Sequence, residues 1–87
     1  MHTIAFNERC LGWTENMETN KFYLIHNFHY LSELFSARGY LYLNQIFEQI
    51  GAPWNPDWEN VCFRSKIDFA YDIQYIEDAD FMITIHS

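Results

Sequence analysis

Apolar and polar residues alternate most regularly in the last third of the chain. From Ile67 to Tyr75 the odd positions are Ile67, Phe69, Tyr71, Ile73 and Tyr75, and the even ones are Asp68, Ala70, Asp72 and Gln74. A period of two belongs to a half-buried strand, whose side chains point alternately to its two faces. Phe81, Ile83 and Ile85 alternate in the same way with Met82, Thr84 and His86. With Ile76 to Asp80 as the connection, Tyr75 faces Phe81, Ile73 faces Ile83 and Tyr71 faces Ile85. Both apolar sets then share one face of a C-terminal hairpin, with Ile73 at its centre. Val61 to Arg64 predicts another strand, and His2 to Phe6 a further one with Ile4 and Phe6 on its apolar side.

Between these strands the period changes to that of a helix. Leu24, Phe28, Leu31 and Phe35 recur at intervals of four, three and four, which predicts a helix over Lys21 to Ala37. Thr19 or Asn20 is placed to cap its start, Arg38 suits its last turn, and Gly39 supplies the stop. Phe22, Tyr23, Ile25 and Tyr30 widen the apolar surface, so the helix is expected to be covered on more than one side. Tyr40 to Leu43 reads as extended, and Asn44 as the cap of a short helix with Ile46, Phe47 and Ile50 on one face and Gly51 at its end. Pro53 stops that helix, and Ala52 to Trp58 is a loop. Asn7 to Asn20 reads as an irregular segment anchored by Leu11, Trp13 and Met17. The predicted architecture is α+β: one long and one short helix packed on a small antiparallel sheet that ends in the hairpin. At 87 residues and 49% hydrophobic content, the chain forms a single domain, 1–87, with enough large side chains to bury a core.

Charge is distributed unevenly along this frame. The chain holds 12 Asp and Glu against 5 Lys and Arg, a net charge of −7. Residues 1–43 hold four carboxylates and three cations, whereas residues 44–87 hold eight and two. From Ile67 onward Asp68, Asp72, Glu77, Asp78 and Asp80 meet no cation at all. This sign excludes direct binding to nucleic acid or to an anionic membrane, both of which need Lys and Arg. An acidic outer face has two explanations. It can serve solubility alone, or it can imitate a row of phosphates and occupy a basic nucleic-acid groove on another protein. Trp54 and Trp58, among Pro53 and Pro56, likewise either close the core or stand out as binding anchors.

Catalytic chemistry finds little support. His26 and His29 are three residues apart on the long helix, but no third ligand is placed by the sequence, so neither metal nor cofactor is expected. Cys10 stands beside Arg9, which favours a thiolate, and Cys62 lies between Val61 and Phe63 in an apolar setting. Two cysteines do not make a disulfide framework. No base accompanies either thiol, no pair of carboxylates stands in an acid–base context, and there is no glycine-rich phosphate loop. The expected class is not an enzyme. The start, Met1-His2-Thr3-Ile4, has no basic or apolar leader, and no stretch reaches the length of a membrane span, so the expected location is the cytoplasm.

The segment Arg38-Gly39-Tyr40-Leu41-Tyr42-Leu43-Asn44-Gln45-Ile46-Phe47-Glu48-Gln49-Ile50-Gly51, followed by Ile67-Asp68-Phe69, resembles a family of small proteins encoded on phages and integrative elements of Firmicutes. The likeness covers about half of the chain. Members carry a Gly-Trp pair before the Asp-Phe strand, where this chain instead has the loop around Trp54 and Trp58. The family has no assigned activity, so the resemblance implies a fold and a genomic setting. Small acidic proteins of such elements often inhibit host defence, anti-CRISPR proteins among them, and that analogy supplies the first expectation. It is an inhibitor whose Asp68, Asp72, Glu77, Asp78 and Asp80, with Trp54 and Trp58, meet a basic nucleic-acid-binding groove of a host protein such as an RNA-guided nuclease. The alternative is a structural or assembly subunit of a phage or mobile element, acting through an aromatic homo-oligomer interface.

Overall fold

The computed structural model describes residues 2–53, 56–64 and 70–86. In chain order it forms β1 (His2–Phe6), α1 (Met17–Arg38), β2 (Leu41–Tyr42), α2 (Leu43–Ile50), a 3-10 turn at Pro56–Trp58, β3 (Cys62–Phe63), β4 (Ala70–Glu77) and β5 (Asp80–His86). β5 is the middle strand of an antiparallel sheet ordered β1-β5-β4, and β2 and β3 form a separate two-stranded ladder. The fold is α+β, as the alternation and helical periods predict.

The hairpin has the expected register: Tyr71 opposite Ile85, Ile73 opposite Ile83 and Tyr75 opposite Phe81. Its connection is tighter than Ile76 to Asp80, because Glu77 pairs with Asp80 and only Asp78 and Ala79 form the turn. Asp78 takes the left-handed conformation there, at φ 53°, which Asp and Asn tolerate best after glycine. Ile76 is the extra residue of a bulge between Tyr75 and Glu77. The expected start of this strand, Ile67 to Phe69, lies outside the described residues.

Ile73 is not the centre of the apolar face. β1 pairs along the other side of β5, Ile4 opposite Ile83 and Phe6 opposite Phe81, so Ile83 is central and Ile73 stands half-buried on the edge. Ile4, Phe6, Phe81, Ile83 and Ile85 are buried and share one core with Leu24, Phe28, Leu31 and Phe35 of α1 and Leu43, Ile46, Phe47 and Ile50 of α2. The strand expected at Val61 to Arg64 shortens to Cys62–Phe63 and joins β2, not the hairpin.

α1 is longer than its stripe of apolar residues predicts. It begins at Met17, and Asn16 is the cap, its Oδ1 accepting from the Thr19 N–H at 2.9 Å. Thr19 and Asn20 therefore lie in the first turn. Asn20 extends the buried face by one turn toward the N-terminus, because its side chain finds polar partners there. Gly39 ends the helix in the left-handed conformation, and its N–H donates to Phe35 O at 2.7 Å. The Arg38 guanidinium lies 4.2 Å from the centroid of the Tyr40 ring, a cation–π contact that follows the cap. Among the described residues, one side of α1 is covered. Phe22, Ile25 and Tyr30 are exposed, contrary to the expectation from their abundance.

α2 starts at Leu43, one residue before the expected cap; Asn44 is buried inside its first turn. The Gln45 side chain accepts from the Tyr42 N–H at 3.0 Å, satisfying a donor at the helix start. Asn27 joins the two helices, donating from Nδ2 to Tyr23 O and accepting from Gln49 Nε2, both at 2.7 Å. At the far end Gly51 has φ 75°, and its carbonyl accepts from the Leu11 N–H at 2.8 Å. A Cβ on Gly51 would come within 2.9 Å of that same Leu11 nitrogen, so both conformation and space require glycine. Leu11 itself is 93% exposed, so this backbone contact and not its side chain fixes the segment. Met17 is exposed as well, and Trp13 alone of the three expected anchors is partly buried.

Candidate functional site: the acidic end of the hairpin

The β4–β5 turn is held from below by two side chains. Ala79 is buried, and its carbonyl accepts from Asn20 Nδ2 at 2.8 Å and from Trp13 Nε1 at 3.2 Å. Trp13 Nε1 is also 3.1 Å from Asp80 Oδ1. Above the turn the Tyr75 hydroxyl donates to Asp78 O at 3.1 Å. These bonds anchor the turn to α1 and to the segment before it, so its carboxylates stand on a fixed support.

Glu77 and Asp80 are directly opposite across the ladder, with Asp78 between them in the chain. Like charges in opposed positions are destabilising by up to about 1 kcal/mol. Asp80 is half-buried and hydrogen-bonded, so it is part of the support and not a free surface charge as its place in the sequence suggests. Asp78 and Asp80 share an open hollow of about 560 Å³ with Asn7, Glu8, Arg9 and Trp13. Glu8 belongs to this end of the molecule because Phe6 pairs with Phe81, which brings the residues after β1 beside the turn. Nothing local in the sequence places it there. Arg9 is the cation among the lining residues, so the hollow keeps a negative balance.

Asp72 is separate from this group. It lies on the outer face of the sheet, pointing away from the helices, and its Oδ2 is 2.8 Å from His86 Nε2. The expected row of five carboxylates thus divides into a tip of Glu77, Asp78 and Asp80 and a paired Asp72. Asp68 lies outside the described residues, and so does Trp54. Trp58 is half-buried, with its ring centroid 5.5 Å from Phe47 and 5.3 Å from His2, so it closes the core at the start of β1.

The other candidate chemistry is dispersed. His29 Nε2 is 3.1 Å from Glu33 Oε1 on the exposed side of α1, and His26 faces the same shallow apolar surface as Phe22 and Ile25. Among the described residues no three His, Cys, Asp or Glu side chains are grouped to hold a metal. Both cysteines are free thiols. Burial pushes the Cys10 thiol up, and a backbone hydrogen bond from Asn7 only partly opposes it. Arg9 does not activate it, because the thiol turns inward and donates to Ala5 O at 3.6 Å. Cys62 is half-buried instead of enclosed. No helix among the described residues is long and apolar enough to cross a membrane. No family model, curated protein or solved structure matches the chain.

Proposed function

We propose that this protein is a non-enzymatic inhibitor that sets the acidic end of its hairpin into a basic nucleic-acid-binding groove of a host protein. The observation that carries this reading is the opposed Glu77 and Asp80 with Asp78 between them. Glu77 and Asp80 flank a two-residue turn that carries Asp78. Among the described residues, the exposed Glu77 and Asp78 have no structural partner that requires their charge, and the turn is braced by Trp13 and Asn20. A rigid cluster of negative charge on an acidic chain steers toward a basic groove and competes there with phosphates. The resemblance of Arg38 to Gly51 to mobile-element proteins supplies the setting, in which an RNA-guided nuclease of the host, in its cytoplasm, is the partner of choice.

Competition with target DNA for a purified, guide-loaded RNA-guided nuclease of the host tests this directly. Glu77→Gln combined with Asp78→Asn is expected to weaken inhibition at least tenfold, chiefly through slower association, and to flatten its salt dependence. Stability should stay within about 0.5 kcal/mol per site, since both side chains are exposed and Asn suits the left-handed turn. Glu48→Gln with Glu59→Gln removes the same charge elsewhere and should leave inhibition intact. Equal losses from both pairs would reduce the effect to bulk charge, and a nuclease indifferent to the wild-type protein would remove the reading.

A second reading is favoured by a different observation. Phe22, Ile25 and Tyr30 are 67%, 46% and 47% exposed along α1, an apolar surface suited to an assembly subunit. Phe22→Ser combined with Tyr30→Ser separates the two readings. Light scattering during size-exclusion chromatography should show these changes dissolving the assemblies of such a subunit, and nuclease inhibition should survive them if the acidic turn is the active surface.

A further inference from the structure

The two outer strands of the sheet differ in how their free edges are guarded. β1 has five residues, and Pro53 and Trp58 line a hollow with its Thr3, Ile4 and Ala5. β4 has eight residues and neither proline nor lysine, and among the described residues no strand pairs with its outer side. Prolines, charged side chains (lysines above all), bulges, short strands and covering loops are the usual means of keeping an edge from pairing. Of these β4 has Asp72, already paired with His86, and near its end the bulge at Ile76 and Glu77. The core is also unfinished beside β4. Ile73 is half-buried and Tyr75 is 53% exposed on the inner face, and Met17 and Ile25 of α1 lie next to them. With Lys21 and Phe81 they line a largely apolar groove of about 460 Å³. A strand laid along β4 would direct alternate side chains into that groove.

We propose that this strand is β4 of a second copy, paired antiparallel about Ile73, so that two three-stranded sheets join into one of six. The register makes the edge complementary to itself. A two-fold axis at Ile73 sets Tyr71 against Tyr75 of the second copy on the inner face, and Asp72 against its Gln74 on the outer face. No like charges stand directly opposite; the two Asp72 residues are diagonal neighbours across the axis, and each carboxylate is already engaged by His86 of its own chain. The bulge at Ile76 ends regular pairing before Glu77.

Charge selects the antiparallel arrangement. Two chains of net charge −7 associate only if their acidic ends stay apart. Asp78 lies five residues from Ile73, roughly 16 Å along a strand. The two acidic turns therefore point in opposite directions about 30 Å apart, several Debye lengths at physiological salt. A charged peptide has less reason to choose this edge, because Lys21 is the one charged side chain lining the groove. This interface is independent of the inhibitor reading.

Sedimentation equilibrium of the full chain between about 1 and 500 μM, the range of modest affinities, tests the proposal. Reversible dimerisation is expected. Gln74→Glu, exposed and on the outer face, sets a carboxylate opposite Asp72 twice per dimer and should weaken association about two- to thirty-fold. Gln74→Lys should strengthen it by a similar factor. Glu59→Gln makes the same one-unit change in charge away from the edge and should have little effect. A monomer throughout the range would overturn the proposal. So would a dimer that ignores both Gln74 variants, or one that Glu59→Gln strengthens as much as Gln74→Lys does.

Discussion

Ile83→Asp is expected to abolish cooperative folding. Ile83 is fully buried on the middle strand, between Ile4 of β1 and Ile73 of β4. The substitution removes the burial of a large aliphatic side chain, about 2–5 kcal/mol, and adds an unpaired carboxylate whose burial costs several more. A domain's whole stability is about 5–15 kcal/mol, and a short chain has little reserve. Circular dichroism during heating should show no sigmoidal transition. Ile73→Asp, half-buried on the edge, should keep a cooperative melt and lose only about 1–3 kcal/mol. The contrast probes the strand order itself. If β1 did not flank β5, both positions would lie on an open two-stranded ribbon and the two variants would melt alike.

Asn20→Ala is expected to cost about 2–4 kcal/mol, a large loss for one polar residue. Asn20 is fully buried and all its hydrogen-bonding capacity is used. Oδ1 accepts from the Thr14 N–H at 2.9 Å and from Thr14 Oγ1 at 2.8 Å, while Nδ2 donates to Thr14 O and Ala79 O, both at 2.8 Å. Truncation leaves these groups without their partner and opens a gap between α1, the preceding segment and the hairpin turn. Asn20→Asp should be worse than Ala despite its matching shape. It turns the two donor bonds into a carboxylate oxygen facing two carbonyls, and it buries charge close to Asp80. Urea unfolding of the three proteins gives the order. An aspartate variant more stable than the alanine variant would show that volume, and not hydrogen-bond polarity, holds the turn.

Much of this architecture is legible in the sequence because it rests on local periods. Nine alternating positions followed by Phe81, Ile83 and Ile85 are enough for the hairpin register, since a one-residue slip would expose every apolar side chain. The Leu24-Phe28-Leu31-Phe35 stripe and the two capping glycines are equally local. The order of the strands is not, because Ile4 and Phe6 mark an inner face without naming a neighbour. Asn20 resembles a cap, being polar at the head of an apolar stripe, and only the approach of Ala79 shows why it is buried. Cys10 sits among polar residues yet enters the core. The acidic tip is visible in composition, while its support by Trp13 and the arrival of Glu8 depend on contacts that span most of the chain.

The pairing of β1 with β5 also governs the time order in which this chain assembles. The β4–β5 hairpin closes over a two-residue turn, but bringing His2 opposite Ile85 encloses nearly the entire sequence. Closing a loop of about 80 residues costs on the order of 4 kcal/mol of chain entropy, which is recovered only when the first strand docks. The last addition to the sheet should therefore be its first strand, after helix and hairpin have formed the surface that receives it. A circular permutant that joins β5 to β1 through a short linker, opened at the exposed Glu59–Asn60, converts that long-range ladder into a second hairpin. Stopped-flow refolding of the permutant should be faster than that of the parent, because the slowest contact in the fold has become one of its most local.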